Sequence, residues 1–451
     1  MDWFLIENLR YSGSSSQEII AFVARCGYKD QPEVDEDDRP SLRRTTALHH
    51  VARGNFALKN VMIRDLFEIY DRFDVNYVDE ESGLTHFHVA CMSGRDAVVE
   101  KFLELGQDPN CLGTAAIDSP LHLALKHGRR YLFELLLRRG ADPNAVDSQG
   151  ATPLHSICRR DDDAVHLAEM LFELSQDRYR PVRLDVQDIK GNTPLHLALA
   201  WNRTRVTESL LRRGGGIVWN LVNGQGWTPL QLAVANIMPN AVDVLLSRGG
   251  GGGADLTSFV FPTLKIHFDD TFTKADDIKK LRLASGALAV VEQLERRGYR
   301  LGQRDALRIM QFFTRHDLFE RPEEPDHHRR AQQRWYRDEE FARESKKLTI
   351  LPGLSLHDLI QLRPDEAERL VAHRDYFELA RSDRWRLVPE KSTRACVVHL
   401  CEKLSRRFFR RWAAEFVSQL TRRRLPIVCC DLIVDGSFTN ENLYDICLSV
   451  A

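Results

Sequence analysis

Two short apolar stripes with helical spacing occupy residues 190–213, and polar residues separate them. The positions that would face a core are Leu195, Leu197, Ala198, Val206, Leu210 and Leu211. Thr193 precedes the first stripe, and a Thr hydroxyl accepts an unpaired backbone N–H at a helix start. Pro194 follows it, and proline suits the first helical position because that N–H has no partner within the helix. The pattern therefore predicts two short helices, the first of which begins abruptly after Thr193.

This opening recurs along the first half of the chain. Copies start at Thr46, Thr85, Ser119, Thr152, Thr193 and Thr228, at spacings of 39, 34, 33, 41 and 35 residues. A period near 33 residues with a Thr-Pro-Leu-His opening is typical of ankyrin repeats. The segment 135–144, LLLRRGADPN, is similar to the second ankyrin helix and its exit turn. We therefore predict an ankyrin array of about six repeats over residues 41–258, because such units bury their apolar faces only by stacking.

Five histidines hold the same position in successive repeats, which argues against a catalytic or metal-binding role. They are His49, His88, His122, His155 and His196. Because they lie about one repeat apart, we expect each to make structural hydrogen bonds through its ring nitrogens. The glycine runs 214–216 and 249–253 lack the Lys-Ser/Thr pair of a phosphate-binding loop, so we interpret them as flexible exit turns. The two longer spacings predict insertions in the first and fourth repeats.

The segments outside the array are predicted to be helices and charged linkers. Residues 1–40 contain one helix, from about Ser16 to Arg25, and an acidic linker; the helix either caps the array or forms a free tail. Residues 259–345 form a helical connector that ends in a charged linker, and residues 346–451 form a helical module. The connector and the module contain apolar stripes of helical period over 276–297, 305–313, 356–362, 365–373, 376–381, 393–422, 427–434 and 440–450. Only 257–271 has a strand-like or irregular composition, so we predict an all-α protein.

Three groups in the second half resemble functional motifs, and we favour a structural explanation for each. Cys396, His399 and Cys401 have metal-ligand types, but on a helix they would not converge, and their neighbours are apolar. The adjacent pair at 327–328 has no third ligand close by. An arginine-rich stretch at 406–424 is interleaved with aromatic residues, a pattern that suits phosphate contacts. An amphipathic helix with buried aromatic residues and solvated arginines is the commoner structure.

Composition narrows the function further. The chain has 451 residues, a net charge of −2 and 43% hydrophobic residues, so it has enough apolar residues for two or three domains. The near-neutral charge does not favour a nucleic-acid or membrane binder. Its nine scattered cysteines favour a reducing compartment, and no segment has the pattern of a signal peptide or a membrane span. We expect a cytoplasmic protein, with a nuclear location as the alternative, and neither a cofactor nor a metal.

The final stretch resembles an F-box, whose opening Leu-Pro precedes an apolar helix. The residues that carry this resemblance are Leu425, Pro426, Ile433, Phe438 and Leu443. Ankyrin repeats followed by such a segment are similar to the PRANC proteins of poxviruses and parasitoid wasps. Segments 335–341, 354–362, 363–368 and 396–412 extend the similarity. The resemblance implies that these five residues bind the adaptor of a cullin–RING ubiquitin ligase while the repeats capture a target protein.

The expected function is therefore that of a protein-binding adaptor rather than an enzyme, since no catalytic set of residues is evident. The alternatives are a scaffold or decoy without a ligase link, and an enzyme or nucleic-acid binder that uses the Cys/His group and the arginines. For the target-binding surface we predict Met92, Arg159, Trp201 and Trp227. The two tryptophans are the leading candidates, because exposed tryptophan often anchors a protein interface.

Overall fold

The computed structural model describes residues 2–11, 15–34, 40–111, 117–161, 164–176, 182–213, 218–247, 254–263, 277–319, 335–434 and 438–449. The chain divides into two compact units. Unit 1 comprises Met1–Val218 and Val222–Gly226, and unit 2 comprises Trp219–Leu221 and Trp227–Ala451. The glycine runs 214–216 and 249–253, the strand-like part 264–271 and the histidine pair 327–328 lie outside the described residues.

Unit 1 consists of helix pairs that follow one another at the predicted period. Each pair has an inner helix, which follows the Thr/Ser start, and an outer helix, which precedes the exit turn. The helices are α1 Asp2–Tyr11, α2 Ser15–Arg25, α3 Ala47–Arg53, α4 Lys59–Ile69, α5 His86–Ser93, α6 Asp96–Glu104, α7 Pro120–Lys126, α8 Arg130–Arg138, α9 Pro153–Arg159, α10 Ala164–Gln176, α11 Pro194–Ala200 and α12 Thr204–Arg213. Inner helices α3, α5, α7, α9 and α11 pack in sequence, as do outer helices α6, α8, α10 and α12. Stacking thus supplies the core that one pair lacks.

The N-terminal segment contains two helices, where the sequence predicted one. The helix α1 was missed because MDWFLIENLR has a short apolar run that also suits a tail. It packs on α3, while α2 packs on α4, so the pair covers the first repeat. The Asp2 carboxylate accepts hydrogen bonds from the backbone N–H of Ala47 at 3.1 Å and from the Tyr70 hydroxyl, and it forms an ion pair with Arg44 at 3.0 Å. The N-terminal helices therefore cap the array, one of the two possibilities left open above.

Unit 2 is built around two long helices. Its helices are α13 Pro229–Ala235, α14 Pro239–Ser247, α15 Asp277–Arg296, α16 Gln303–Arg315, α17 Glu339–Lys347, α18 Leu356–Gln361, α19 Pro364–Leu370, α20 His373–Arg381, α21 Glu390–Leu420, α22 Ile427–Val434 and α23 Asn440–Leu448. Two 3-10 turns, Trp335–Arg337 and Asp383–Leu387, and a two-stranded hairpin complete it. Helix α15 packs on α14, α20 and α21, and α21 also contacts α22 and α23. The sixth Thr-Pro-Leu helix pair, α13 and α14, thus packs within unit 2.

The hairpin joins β1 Thr349–Leu351 to β2 Leu354–Ser355, and the sequence analysis predicted no strand there. Its two-residue turn places Gly353 at φ 84°, a conformation that glycine adopts without strain. The described part of 257–271 contains no strand, in line with the irregular alternative. The mostly helical content agrees with the all-α prediction. Among the described residues, no helix has both the length and the apolar character that crossing a membrane requires.

A close helix crossing in unit 2 depends on one glycine. A Cβ placed on Gly286 in α15 would lie 2.6 Å from the Ile237 Cγ2 atom and 3.0 Å from the Phe377 ring. Ile237 joins α13 to α14 with φ 52°, a strained conformation for a β-branched residue. Burial of Ile237 against this glycine offsets the strain, because its apolar side chain leaves water.

Candidate protein-binding surfaces

The Thr/Ser starts of the inner helices are hydrogen-bonded as predicted. In the fifth of the six starts, the Thr193 hydroxyl accepts from the backbone N–H of His196 at 3.3 Å, and Nδ1 of His196 accepts from the backbone N–H of Thr193 at 3.2 Å. Thr152 and His155 form the corresponding bond to Nδ1 at 3.0 Å. These reciprocal bonds satisfy backbone donors that the helix itself leaves unpaired.

In two of the motif histidines, the other ring nitrogen joins one repeat to the next. Nε2 of His122 donates to the Ala151 carbonyl at 3.0 Å, and Nε2 of His155 donates to the Asn192 carbonyl at 3.0 Å. Burial lowers the pKa of His49 and of His88 to about 4, so these rings are neutral at pH 7. The motif histidines are thus structural hydrogen-bonding groups, as the sequence analysis predicted.

The sixth pair replaces histidine by glutamine without losing this pattern. Oε1 of Gln231 accepts from the backbone N–H of Thr228 at 2.9 Å, and its Nε2 donates to the Val260 carbonyl at 3.3 Å. A neutral amide therefore makes both connections that the imidazole makes in other repeats.

The turns between an outer helix and the next inner helix are here called fingers. Carboxylates hold these fingers through hydrogen bonds from backbone N–H groups, and the sequence analysis did not identify them. Oδ1 of Asp188 accepts from the backbone N–H groups of Lys190 and Asn192, both at 2.9 Å. Asp147 holds its own finger in the same way. Neighbouring fingers approach closely at Gly191, where a Cβ would lie 2.6 Å from the Gly224 nitrogen. The available sequence signal was an Asp or Asn five residues before the last three starts, Thr152, Thr193 and Thr228.

The finger tips carry exposed β-branched residues in three consecutive repeats. Val146, Ile189 and Val222 are all exposed, and Ile189 reaches 66%. The backbone N–H of Ile189 donates to the Gln149 carbonyl at 3.0 Å, so neighbouring tips are joined. A row of apolar side chains on a rigid edge is a surface that suits a protein partner. It was not predicted, because isolated valines in turns give no distinctive pattern.

The predicted target-binding residues differ in how accessible they are. Trp201 ends the inner helix α11 and is 53% exposed. Met92 in α5 is half-buried. Arg159 is exposed, but its guanidinium forms an ion pair at 3.0 Å with the buried Asp188 of the next finger. Trp227 belongs to unit 2 and is half-buried. Trp201 is therefore the member of this set with the most surface to offer a partner.

The predicted adaptor-binding residues lie around α22 at the end of unit 2. An exposed apolar face, here called the α22 face, comprises Leu425, Ile427, Val428, Leu432, Ile433 and Phe438. Val428 and Leu432 are 65% and 70% exposed. The opposite face of the helix, with Cys430 and Val434, is fully buried. Such exposure is unusual in an eight-residue helix whose sequence is almost entirely apolar.

One of the predicted residues, Leu443, occupies a different place from the one expected. Leu443 is 0% exposed, so it belongs to the core of unit 2 and does not reach the α22 face. Pro426 precedes α22, where its carbonyl accepts from the backbone N–H groups of Cys429 and Cys430 at 2.9 and 3.1 Å. Thr439 caps α23, and the buried side-chain amide of the next residue, Asn440, donates to Glu402 O and Ser405 Oγ of α21. The C-terminal helix is thereby fixed to α21, which leaves α22 as the exposed element.

The Cys396–His399–Cys401 group is part of the core. Burial raises the pKa of both thiols, and it lowers the pKa of His399 to about 4. His399 Nε2 donates to the Ile360 carbonyl at 3.3 Å. Among the described residues there is no cluster of three or more His, Cys, Asp or Glu side chains that would hold a metal.

Lys403, one turn beyond this group, is a buried cation that the sequence analysis missed. Its ammonium donates to the carbonyls of Leu359, Ile360 and Leu362 at 2.7–2.8 Å, at the end of α18, where the helix itself leaves carbonyl acceptors unpaired. Burial lowers its pKa to about 8. The nearby aromatic residues 408, 409 and 412 are buried while Arg407 and Arg411 are exposed, so the arginine-rich helix is amphipathic as predicted.

Comparison with known families identifies the repeats. A family model described as ankyrin repeats (many copies) matches residues 87–137, and one described as ankyrin repeats (3 copies) matches residues 168–259. Stacked repeats of this kind present extended binding surfaces to other proteins. The matches cover the Thr/Ser starts at Ser119, Thr193 and Thr228, with their helix pairs. The chain therefore contains ankyrin repeats, which are modules for protein interaction.

Proposed function

We propose that this chain is a non-catalytic adaptor that recruits a target protein to a cullin–RING ubiquitin ligase. In this proposal unit 1 captures the target and the α22 face binds the ligase adaptor, as in PRANC-type F-box-like segments. The observation that carries it is the exposure of Val428 and Leu432 on a short apolar helix that is anchored by its opposite face. A helix that presents an apolar face to water is suited to a helical partner. The nine free cysteines support a reducing compartment, the cytoplasm or the nucleus.

Target capture is assigned to unit 1, through Trp201 at the end of α11 and through the finger tips. Partial exposure of an indole on a rigid helix end suits an interface anchor. Trp201→Ala is expected to weaken target binding by about 1–2 kcal/mol and to leave the melting temperature unchanged. Trp3→Ala is the matched control, because Trp3 is also exposed in unit 1 but lies on the capping helix α1. Equal losses from both variants, or a loss of stability without a loss of affinity, would contradict this assignment.

The ligase link is tested by co-purification of the full chain with a cullin and its adaptor. Val428→Asp combined with Leu432→Asp places two charges on the α22 face without touching its buried side. The expected result is loss of both ligase subunits and retention of the target. Leu370→Asp, a change at another exposed leucine of unit 2, is the control and should retain all of them. Replacing Leu425 and Pro426 by alanine removes the Leu-Pro opening of the motif. This variant should also lose both ligase subunits and retain the target.

A second candidate function is an ankyrin scaffold or decoy without a ligase link. It is favoured by the burial of Leu443, one of the five predicted residues, and of Cys430 and Val434, because these side chains complete the core of unit 2. In that case the wild-type chain captures its target through unit 1 but recovers no cullin. The same co-purification therefore separates the two functions.

A further inference from the structure

A row of cations follows the turns that join inner to outer helices in unit 1. Its members are Lys59, Arg95, Arg129, Arg160 and Arg203, each at or close to the start of an outer helix. Most of them are engaged with backbone carbonyls of the preceding repeat. Arg160 donates to Leu125 O at 2.7 Å, Arg203 donates to Arg159 O at 3.3 Å, and Arg95 donates to Asn60 O at 2.6 Å. These bonds neutralise acceptors near the ends of helices.

Arg129 differs from the rest of the row. Its side chain lies over Gly94, within 2.9 Å of the position that a Cβ would occupy there. Its buried Nε atom has no hydrogen-bond partner among the described residues, which is also true of Arg95 and Arg203, but those two arginines donate through other guanidinium nitrogens. Within the described ranges, the side chain of Arg129 makes neither a hydrogen bond nor an ion pair within 4.0 Å. Because its charge has no partner within the described part of the chain, an external oxyanion would be bound favourably at this place.

A cavity of about 90 Å³ opens beside Arg129, between α7, α8 and α10. Three arginines, Arg129, Arg130 and Arg160, line it together with apolar side chains that include Leu125, Phe133 and Leu167. None of the described residues that line it is acidic. A lining that combines guanidinium groups with apolar side chains matches an oxyanion at the end of a short aliphatic stem, because the stem packs on the apolar side chains while the oxygens meet the guanidinium groups.

The surroundings of this cavity are also positively charged. Burial lowers the pKa of the neighbouring His127, and the charges of Lys126, Arg129 and Lys59 lower it further. Asp96 is an acidic residue close enough to interact with Arg129; burial raises its pKa, and the charge of Arg129 offsets only part of this rise. The field at the cavity therefore attracts anions before contact is made.

We infer that the Arg129 cavity is a recognition pocket for an acidic side chain, glutamate or phosphoserine, on the protein that unit 1 captures. This inference rests on the proposed target-binding role of unit 1 and is independent of the ligase link. The other cations of the row lie on either side of Arg129, so they favour a partner segment that contains further acidic residues.

The test uses the full chain and three labelled peptides that differ only at one central position, which is glutamate, phosphoserine or glutamine. Fluorescence anisotropy is expected to show binding of the glutamate and phosphoserine peptides and weaker binding of the glutamine peptide. Arg129→Met keeps the packing over Gly94 but removes the charge, and it should weaken both acidic peptides about tenfold, the loss of one charge-assisted bond. The ratio of the two affinities assigns the pocket to carboxylate or phosphate.

Arg138→Met is the matched control, because Arg138 lies on the same helix, is exposed, and has the same charge. The peptide affinities of Arg138→Met should equal those of the wild type. If Arg129→Met is poorly folded, Arg130→Met replaces it, and this variant should also weaken the binding of both acidic peptides. Equal weakening by Arg138→Met, equal binding of the glutamine peptide, or tighter binding of a single-stranded RNA than of either acidic peptide would overturn the inference. A wild type that distinguishes glutamate from glutamine but recovers no cullin would refute the ligase proposal alone.

Discussion

His88 offers a sharp test of how the repeats are held together, because its ring is buried and neutral. It is 0% exposed, and burial lowers its pKa to about 4 from the usual 6.5. The unfolded chain takes up a proton below pH 6.5, whereas the folded chain resists it until about pH 4. The stabilisation is therefore fully present above pH 6.5 and is lost as the pH falls towards 4. Between pH 7.5 and pH 5, His88 alone lowers the free energy of unfolding by about 2 kcal/mol.

The substitution His88→Gln removes this titration while keeping the hydrogen bond to Thr85. Gln231 already makes the corresponding bond in the sixth pair, where Oε1 accepts from Thr228 N–H. At pH 7.5 the variant should match the wild type to within about 1 kcal/mol, the worth of one hydrogen bond. At pH 5 its stability relative to the wild type should improve by about 2 kcal/mol. The change in unfolding free energy caused by His88→Gln would thus be more favourable at pH 5 than at pH 7.5.

The assay is urea denaturation of the full chain at both pH values, followed by hydrogen exchange of peptides from 86–104. Exchange in these peptides reports the unfolding of this repeat rather than that of unit 2. His166→Gln, a change at an exposed histidine of α10, is the control and should leave the pH dependence as in the wild type. If the difference in unfolding free energy between His88→Gln and the wild type is the same at pH 7.5 and pH 5, the conclusion that His88 is buried in its neutral form is refuted.

Three further substitutions test separate parts of the structure by the change in unfolding free energy. Thr193→Ala removes the cap that accepts from His196 and should cost about 1 kcal/mol in urea denaturation; no change would contradict the cap. Gly286→Ala should destabilise unit 2 by about 1–3 kcal/mol, because the new methyl group overlaps Ile237, although alanine favours a helix. Lys403→Met leaves the Leu359 and Leu362 carbonyls without their ammonium donor, while the Ile360 carbonyl keeps His399 Nε2, and it should cost at least about 2 kcal/mol. A stabilised variant would show that the two carbonyls find other partners.

The helical repeats of unit 1 were predictable because their signals are local and repeated. The Thr-Pro start fixes each inner helix by hydrogen bonds within four residues, and the sequence therefore placed Pro194 and its counterparts correctly. Ile427–Val434 was also predicted with the observed bounds. In contrast, α1 was missed because its stability comes from the contact of Asp2 with Tyr70 and Arg44, which are distant in the sequence.

The candidate sites were less predictable, because exposure is a tertiary property. An apolar stripe in α22 gave no indication of which side would be buried, and Cys430 and Ile433 proved to face opposite environments. Leu443 has the same hydrophobic character as Leu432, yet one is in the core and the other is exposed. Likewise, nothing in the sequence distinguishes Arg129 from the other arginines of its row. The difference lies in the contacts that each guanidinium makes.

The recovery of a cullin and its adaptor by the full-length chain tests the central claim most directly. The account predicts that the wild type recovers both, in an amount that does not depend on Trp201. It also predicts that Val428→Asp with Leu432→Asp recovers neither, while the chain keeps its melting temperature and its target. Recovery by the double variant equal to that by the wild type, or no recovery by either, would contradict the account and leave an ankyrin scaffold in its place.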